Sequence, residues 1–211
     1  TGERLTPRVR ETARSLWAVY VGFTVVLAML YAGAGMSIYD AVSHSFTTVS
    51  TGGFSPYQDS IGAFDSAAIE WICIVAMLLA GGSFTLYYRA LKRDPKPLLR
   101  SSEFKVYLLV VTGITLWAFV ASGNDGGQAA GFRDALFTTV STVTTTGYVT
   151  TEYGLWSQTT QLVLLLAMPI GAMAGSTAGG VKLVRVMAIA SFAHREGLRN
   201  LPPHLVRPVR V

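Results

Sequence analysis

Charge is what this sequence has least of. Only 14% of its 211 residues are Asp, Glu, Lys or Arg, against roughly 25% in a soluble domain, and the shortfall argues against a chain surrounded by water. Cysteine is nearly absent as well. With Cys73 alone, an intrachain disulfide is impossible and a cysteine metal site is excluded. Cys73 lies in the apolar run WICIVAMLLA and reads as a small buried hydrophobe. Histidine occurs only at His44, His194 and His204, which leaves few bases for nucleophilic chemistry.

What fills the sequence is apolar and clustered. Leu16 to Met36, Trp71 to Tyr88 and residues 154–181 carry no charge, and Phe104 to Ser122 carries only Lys105. About 20 mostly apolar residues cross roughly 30 Å of hydrocarbon, so four spans are expected. The opening TGERLTPRVRETARSLW is basic for too long to be a cleavable leader and runs into a full-length span. Thr6 and Pro7 suit the cap and first residue of a lead-in helix. With no initiator Met, the sequence reads as a piece of a longer protein.

The net charge of +5 suggests nucleic acid until the bases are located. Arg4, Arg8, Arg10 and Arg14 precede the first span; Arg89, Lys92, Arg93, Lys96, Arg100 and Lys105 fall between the second and third; Arg185, Arg195, Arg199, Arg207 and Arg210 follow the fourth. Only Arg133 and Lys182 lie elsewhere. Basic groups that alternate with spans mark the cytoplasmic side, and no aromatic interleaving supports nucleic-acid binding. Two outward-and-back hairpins result, separated by the linker KRDPKPLLRSSE, where Pro95 and Pro97 argue against a continuous helix.

The hairpins are copies. Asp40-Ala41 matches Asp134-Ala135, Thr48-Val49 matches Thr142-Val143, and Thr51, Gly53 and Phe54 match Thr145, Gly147 and Tyr148, all at an offset of 134 − 40 = 94. Both copies run in the same direction, so the repeats are parallel. Between the helices of each lies a segment too short to span; Ile38 to Ser50 has the length of a re-entrant helix. Ser37 and Asp40 form a capping-box-like pair at its start, and Asp134 stands at the same place in the second copy without the serine. Each short helix is followed by a Thr/Gly/aromatic loop, STGGF or TTTGY. Irregular backbone survives at membrane depth only where it is buried in protein or lines a water-filled path, and glycine admits conformations that turn carbonyls inward. Carbonyls so arranged replace an ion's hydration shell, as in the TVGYG loops of potassium channels. The last glycine of that pattern is replaced here by Ser55 and Val149, which points to a shorter filter. His44 reads as a packed residue of the first short helix rather than a ligand or base.

STGGF, TTTGY and the later GSTAGGVK resemble the Trk/Ktr/HKT superfamily of potassium transporters, in particular its bacterial TrkH type, over essentially the whole chain. Members of that family carry four helix, pore-helix, helix repeats, and this sequence resembles the second and third. The resemblance implies an ion filter in which Thr51, Gly52, Gly53 and Phe54 form one wall and Thr145, Thr146, Gly147 and Tyr148 another, with K+ held by backbone carbonyls. Glycine at Gly53 and Gly147 implies potassium selectivity, where a serine is linked to sodium. It also implies a homodimer, and a nucleotide-binding regulatory subunit docked on the cytoplasmic face.

The fourth span, LVLLLAMPIGAMAGSTAGGVKLVRVMAIASF, is interrupted by Pro169 and by Gly171, Gly175, Gly179 and Gly180; the matching stretch MLLAGGSFTLYY has a milder interruption at Gly81-Gly82. The resemblance implies that Gly175, Ser176, Thr177, Ala178, Gly179 and Gly180 form a gate loop beneath the filter, followed by Lys182. An intramembrane lysine either serves the site, pairs with a carbonyl, or snorkels to the interface. GSTAGGVK is not a phosphate-binding loop, because Val181 separates its glycines from Lys182 and Leu183 follows. Nor does any histidine accompany Ser176 or Thr177 as a base, so no enzymatic activity and no covalent cofactor is expected.

The expectation is an all-α polytopic membrane protein of parallel helix, re-entrant pore helix, helix repeats. Residues 1–15 form a cytoplasmic lead-in, 16–91 and 104–190 the two pore repeats, 92–103 a cytoplasmic linker and 191–211 a cytoplasmic basic tail, in contact with lipid in the cell (inner or plasma) membrane. Its expected function is uptake of potassium through a gated, channel-like pore. The alternative is a non-conducting membrane assembly or sensor scaffold.

Overall fold

The computed structural model describes residues 5–92 and 96–199, and these form an all-α membrane protein. The helices are α1 (Leu5–Gly33), α2 (Ile38–Val49), α3 (Ala67–Ala80), α4 (Phe84–Lys92), α5 (Lys96–Arg100), α6 (Ser102–Ala121), α7 (Phe132–Val143), α8 (Gln158–Ala167) and α9 (Leu183–Arg199). Helix α1 starts at Leu5, which places Pro7 in its first turn, where a missing N–H costs nothing. Side-chain capping by Thr6 and the tail beyond Arg199 lie outside the described residues.

The repeat is carried by the backbone. Helices α2 and α7 begin 132 − 38 = 94 residues apart and end 143 − 49 = 94 apart. Each packs against the long helix before it, α1 on α2 and α6 on α7, while α3 crosses to α7 and joins the two copies. Tyr31, Val49, Cys73, Met77, Tyr107, Phe137, Val140 and Met173 fill the shared core. An ion pair between Arg133 Nε and Glu70 Oε2 at 2.6 Å bridges the repeats, with Glu70 buried. Val21, Val25 and Met29 of α1, like Leu109, Leu116 and Val120 of α6, lie exposed, an apolar exterior suited to lipid or further protein.

Two helical stretches, Leu16–Gly33 and Ser102–Ala121, are long and apolar enough to cross a membrane unbroken. The other two expected spans are divided. Helices α3 and α4 meet at 96°, so the interruption at Gly81-Gly82 is sharper than the sequence suggests. Close packing explains it: a Cβ at Gly81 would come within 2.6 Å of the Tyr107 hydroxyl, and one at Gly82 would run into the Tyr87 hydroxyl. The Gly81 carbonyl, freed from the helix, accepts from Met173 N–H at 3.0 Å, which docks the broken fourth span into the bend. In that fourth span α8 stops at Ala167 and an irregular segment leads to α9. The segment is closed by a parallel bridge between Ile170 and Val181.

Candidate functional site

The site begins at the C-terminal ends of the two short helices. Ser37 caps α2: its Oγ accepts from Asp40 N–H at 3.1 Å and donates to Asp40 Oδ2 at 2.6 Å. At α7 the backbone N–H of Gly131 donates to Asp134 Oδ2 at 3.2 Å, so the acidic residue performs the reciprocal half of a cap where the serine is missing. Both helices then end alike. Thr51 N–H donates to Thr48 O and Thr145 N–H to Thr142 O, each at 3.0 Å. Thr47 O accepts from Gly52 and Gly53 (2.7 and 3.3 Å), and Ser141 O accepts from Thr146 and Gly147 (2.9 and 3.3 Å). Five or six residues of irregular chain are thus bonded identically at the 94-residue offset.

The dihedrals repeat too. Thr51 and Gly53 stand at φ +52° and +67°, Thr145 and Gly147 at +57° and +85°, and the residues between them are not at positive φ. A β-branched residue in the left-handed region is a genuine outlier, costing roughly 1–2 kcal/mol. Two threonines held there at matching positions mark a strained site that the surroundings over-determine.

The loops touch. A Cβ at Gly53 would fall inside the van der Waals shell of the Thr146 carbonyl oxygen, so only glycine lets the first loop approach the second; at Gly147 nothing stands within 4 Å. The loop aromatics differ in the same sense. Tyr148 is buried behind α2, where its hydroxyl donates to His44 O and accepts from Thr48 Oγ1, both at 3.2 Å, while Ser141 Oγ donates to Tyr148 O at 2.8 Å. Phe54 is 78% exposed against 2% for Tyr148. Outside the spans, the Tyr57 phenol is pushed above its ordinary value by its hydrogen bond to the Asp40 carboxylate.

Beneath these loops lies the segment from Gly175 to Gly180. Thr177 Oγ1 is within 2.8 Å of Val49 O and 3.3 Å of Ala80 O, and Gly179 N–H donates to Thr145 Oγ1 at 2.6 Å. The segment therefore touches the end of the first short helix and the first residue of the second loop. Gly175 and Gly180 take φ +75° and +69°, and a Cβ on Gly171 would meet Gly179 O, which accounts for the glycine density. Lys182 does not extend to the interface. Its ammonium turns back on the segment, donating to Ser176 O (3.3 Å), Ser176 Oγ (3.2 Å) and Ala178 O.

Over its whole length, residues 1–211, the chain matches the family described as TrkH, cation transport protein. The chain belongs to the TrkH family. Its relatives include the Trk system potassium uptake proteins TrkH of Halomonas elongata, 37% identical over 99% of this chain and 44% of that protein, and of Escherichia coli strain K12, 34% identical over the same shares. The crystal structure of the potassium transporter TrkH from Vibrio parahaemolyticus superposes with a TM-score of 0.88 at 36% identity, covering 97% of this chain and 45% of that one. The chain spans less than half the length of the relatives it matches. Those relatives are named as transport proteins, and the TrkH likeness agrees with the polytopic helical fold.

Within this TrkH-family chain the structure brings together Thr51, Gly52, Gly53, Thr145, Thr146, Gly147 and Tyr148, and places Thr177, Gly179 and Lys182 in hydrogen-bonding reach of them or of their neighbours; it leaves Phe54 turned outward. Sequence reasoning missed Glu103. Its Oε1 accepts from Ala174 N–H at 2.6 Å, anchoring the residue before Gly175, while Gly175 O accepts from Phe84 N–H at 3.1 Å. A lone acid between Arg100 and Lys105 was the available signal.

Proposed function

We propose that this chain supplies two walls of a potassium-conducting pore, with Thr51 to Phe54 and Thr145 to Tyr148 as filter loops and Gly175 to Gly180 with Lys182 as the gate beneath. The observation that carries the reading is the duplicated backbone: two loops with the same strained threonine, the same positive-φ glycine and the same capping bonds, one pressed against the other's carbonyl. Alternation of left- and right-handed residues turns successive carbonyls to one side, and such a row substitutes for water around a cation. The names of the relatives give the ion as potassium.

The gate loop obstructs the path below. Lys182 holds its carbonyls with charge-assisted bonds, which are roughly twice as strong as neutral ones. Opening requires those bonds to be exchanged. On this reading residues 16–91 and 104–190 are pore repeats of an inner- or plasma-membrane transporter, and 1–15, 92–103 and 191–211 face the cytoplasm. A homodimer with a nucleotide-binding regulatory subunit on that face completes the proposal; the basic linker is the surface offered to it.

The test is ion-dependent stability. A ligand that binds only the folded state raises its stability, so the thermal midpoint of the purified full-length protein is expected to be higher in K+ or Rb+ than in Na+ at equal ionic strength. Equal midpoints in the three salts would refute the filter and favour a non-conducting scaffold.

A further inference from the structure

The inner ends of the two loops are held identically, but the outer ends are not. Leaving the first loop, the chain reaches Ser55, whose Oγ lies 3.0 Å from His44 Nε2. The His44 ring is fully buried in α2, and its Nδ1 lies 2.8 Å from the Asp40 carbonyl oxygen. A carbonyl oxygen can only accept, so Nδ1 carries the proton, and in the neutral ring Nε2 accepts from the Ser55 hydroxyl. Ser55 Oγ accepts in turn from Tyr57 N–H at 3.2 Å, and the Tyr57 hydroxyl donates to Asp40 Oδ2 at 3.1 Å. The circuit closes through the peptide of Asp40. Tyr57 lies nearly parallel to the imidazole, with centroids 6.5 Å apart, and Phe64 meets it edge-on at 5.3 Å.

Ninety-four residues on, the same four places hold Asp134, Thr138, Val149 and Thr151, so the second repeat has neither the imidazole nor the serine hydroxyl. Its exit is pinned differently, with Val149 N–H donating to Ser60 Oγ at 3.3 Å and Gly62 N–H donating to Val149 O at 3.1 Å. His44 also reaches the second loop, since its own carbonyl accepts from the Tyr148 hydroxyl.

We propose that His44 is a positioning residue for ion selection: through Ser55 it fixes the outer end of the first loop relative to α2, and so sets how closely that loop's carbonyls match one cation. The inference rests on the reading of these loops as a filter. A ring bonded at both nitrogens and clamped between aromatics permits one loop position. A loop without that brace can relax around a smaller ion and loses discrimination. His44 itself does not touch the ion.

Full-length protein carrying His44→Gln, His44→Asn or Ser55→Ala is reconstituted in vesicles, and the K+-over-Na+ flux ratio is measured beside the thermal midpoint in each salt. A glutamine amide reaches the place of Nε2 and keeps the Ser55 bond; an asparagine amide reaches only the place of Nδ1. His44→Asn and Ser55→Ala are expected to lower the flux ratio about fivefold, the factor that corresponds to one neutral hydrogen bond, and His44→Gln to hold it within about twofold of wild type. Ser55→Ala lies at the loop exit outside the helix and tests the brace even if the histidine variants fail to fold. An unchanged ratio in Ser55→Ala, or equal losses in the Gln and Asn variants, overturns the brace. A wild-type protein with no preference for K+ in flux or midpoint overturns the filter reading instead, so the two failures are told apart.

Discussion

Replacing either loop glycine by alanine gives the sharpest test of how these loops are arranged. Gly53 and Gly147 are equivalent by sequence and both stand at positive φ, so each alanine pays the left-handed penalty of roughly 1–2 kcal/mol. At Gly53 the new methyl also strikes the Thr146 carbonyl. Backbone is harder to displace than a side chain, and overpacking of this kind adds about 1–3 kcal/mol, for a total near 2–5 kcal/mol. At Gly147 the space is open within this chain. If the first loop leans on the second as the second leans on a third, that space is filled in the full-length protein by the next loop's carbonyl, and Gly147→Ala costs as much as Gly53→Ala. Thermal midpoints of the two full-length variants in detergent and K+ decide it. Matched falls are expected. A Gly147→Ala protein that loses only the 1–2 kcal/mol of backbone strain, with Gly53→Ala clearly worse, would refute the reasoning that the loops follow one another around an axis.

Lys182→Met removes the ammonium that holds Ser176 and Ala178 while keeping an unbranched apolar stem; basal K+ flux in vesicles is expected to rise several-fold, as is reasonable for losing bonds worth about 1.5–3 kcal/mol each, and an unchanged flux would count against a latch. Tyr148→Phe deletes a buried hydroxyl bonded to His44 and Thr48 and is expected to destabilise the protein by about 1–3 kcal/mol, read as a lower thermal midpoint in every salt; a midpoint that drops only in K+ would show that the hydroxyl serves the ion and not the packing.

Much of this architecture was legible because it is written twice. Asp40 with Asp134 and Thr51 with Thr145 set the 94-residue register, and a segment too short to span could be placed between two that are long enough. Lone features were harder. The bend after α3 is 96° because Tyr107 and Tyr87 arrive from elsewhere in the chain to occupy the space beside Gly81 and Gly82, and no local pattern announces them. Lys182 left snorkelling and carbonyl pairing equally open, since the choice depends on where residues 176–178 fold back. Glu103 looked like one acid in a basic stretch until Ala174 was found against it. Tyr148 and Phe54 are the same kind of residue at the same place in the repeat, and only the tertiary arrangement separates a buried anchor from an exposed ring.

That separation has a geometric consequence. Tyr148 seats behind the short helix of the copy before it, while Phe54 has no such helix to enter; Gly53 leans on the loop after it, while Gly147 leans on nothing. The unit is therefore polar around its own circumference, with a donor edge at one side and a receptor edge at the other. Contacts of this head-to-tail kind do not satisfy themselves in pairs by a two-fold axis; they either close into a ring or run on without end. A strand of backbone that must stay in a plane of fixed thickness can only close, and the turn made between these two copies sets how many are needed.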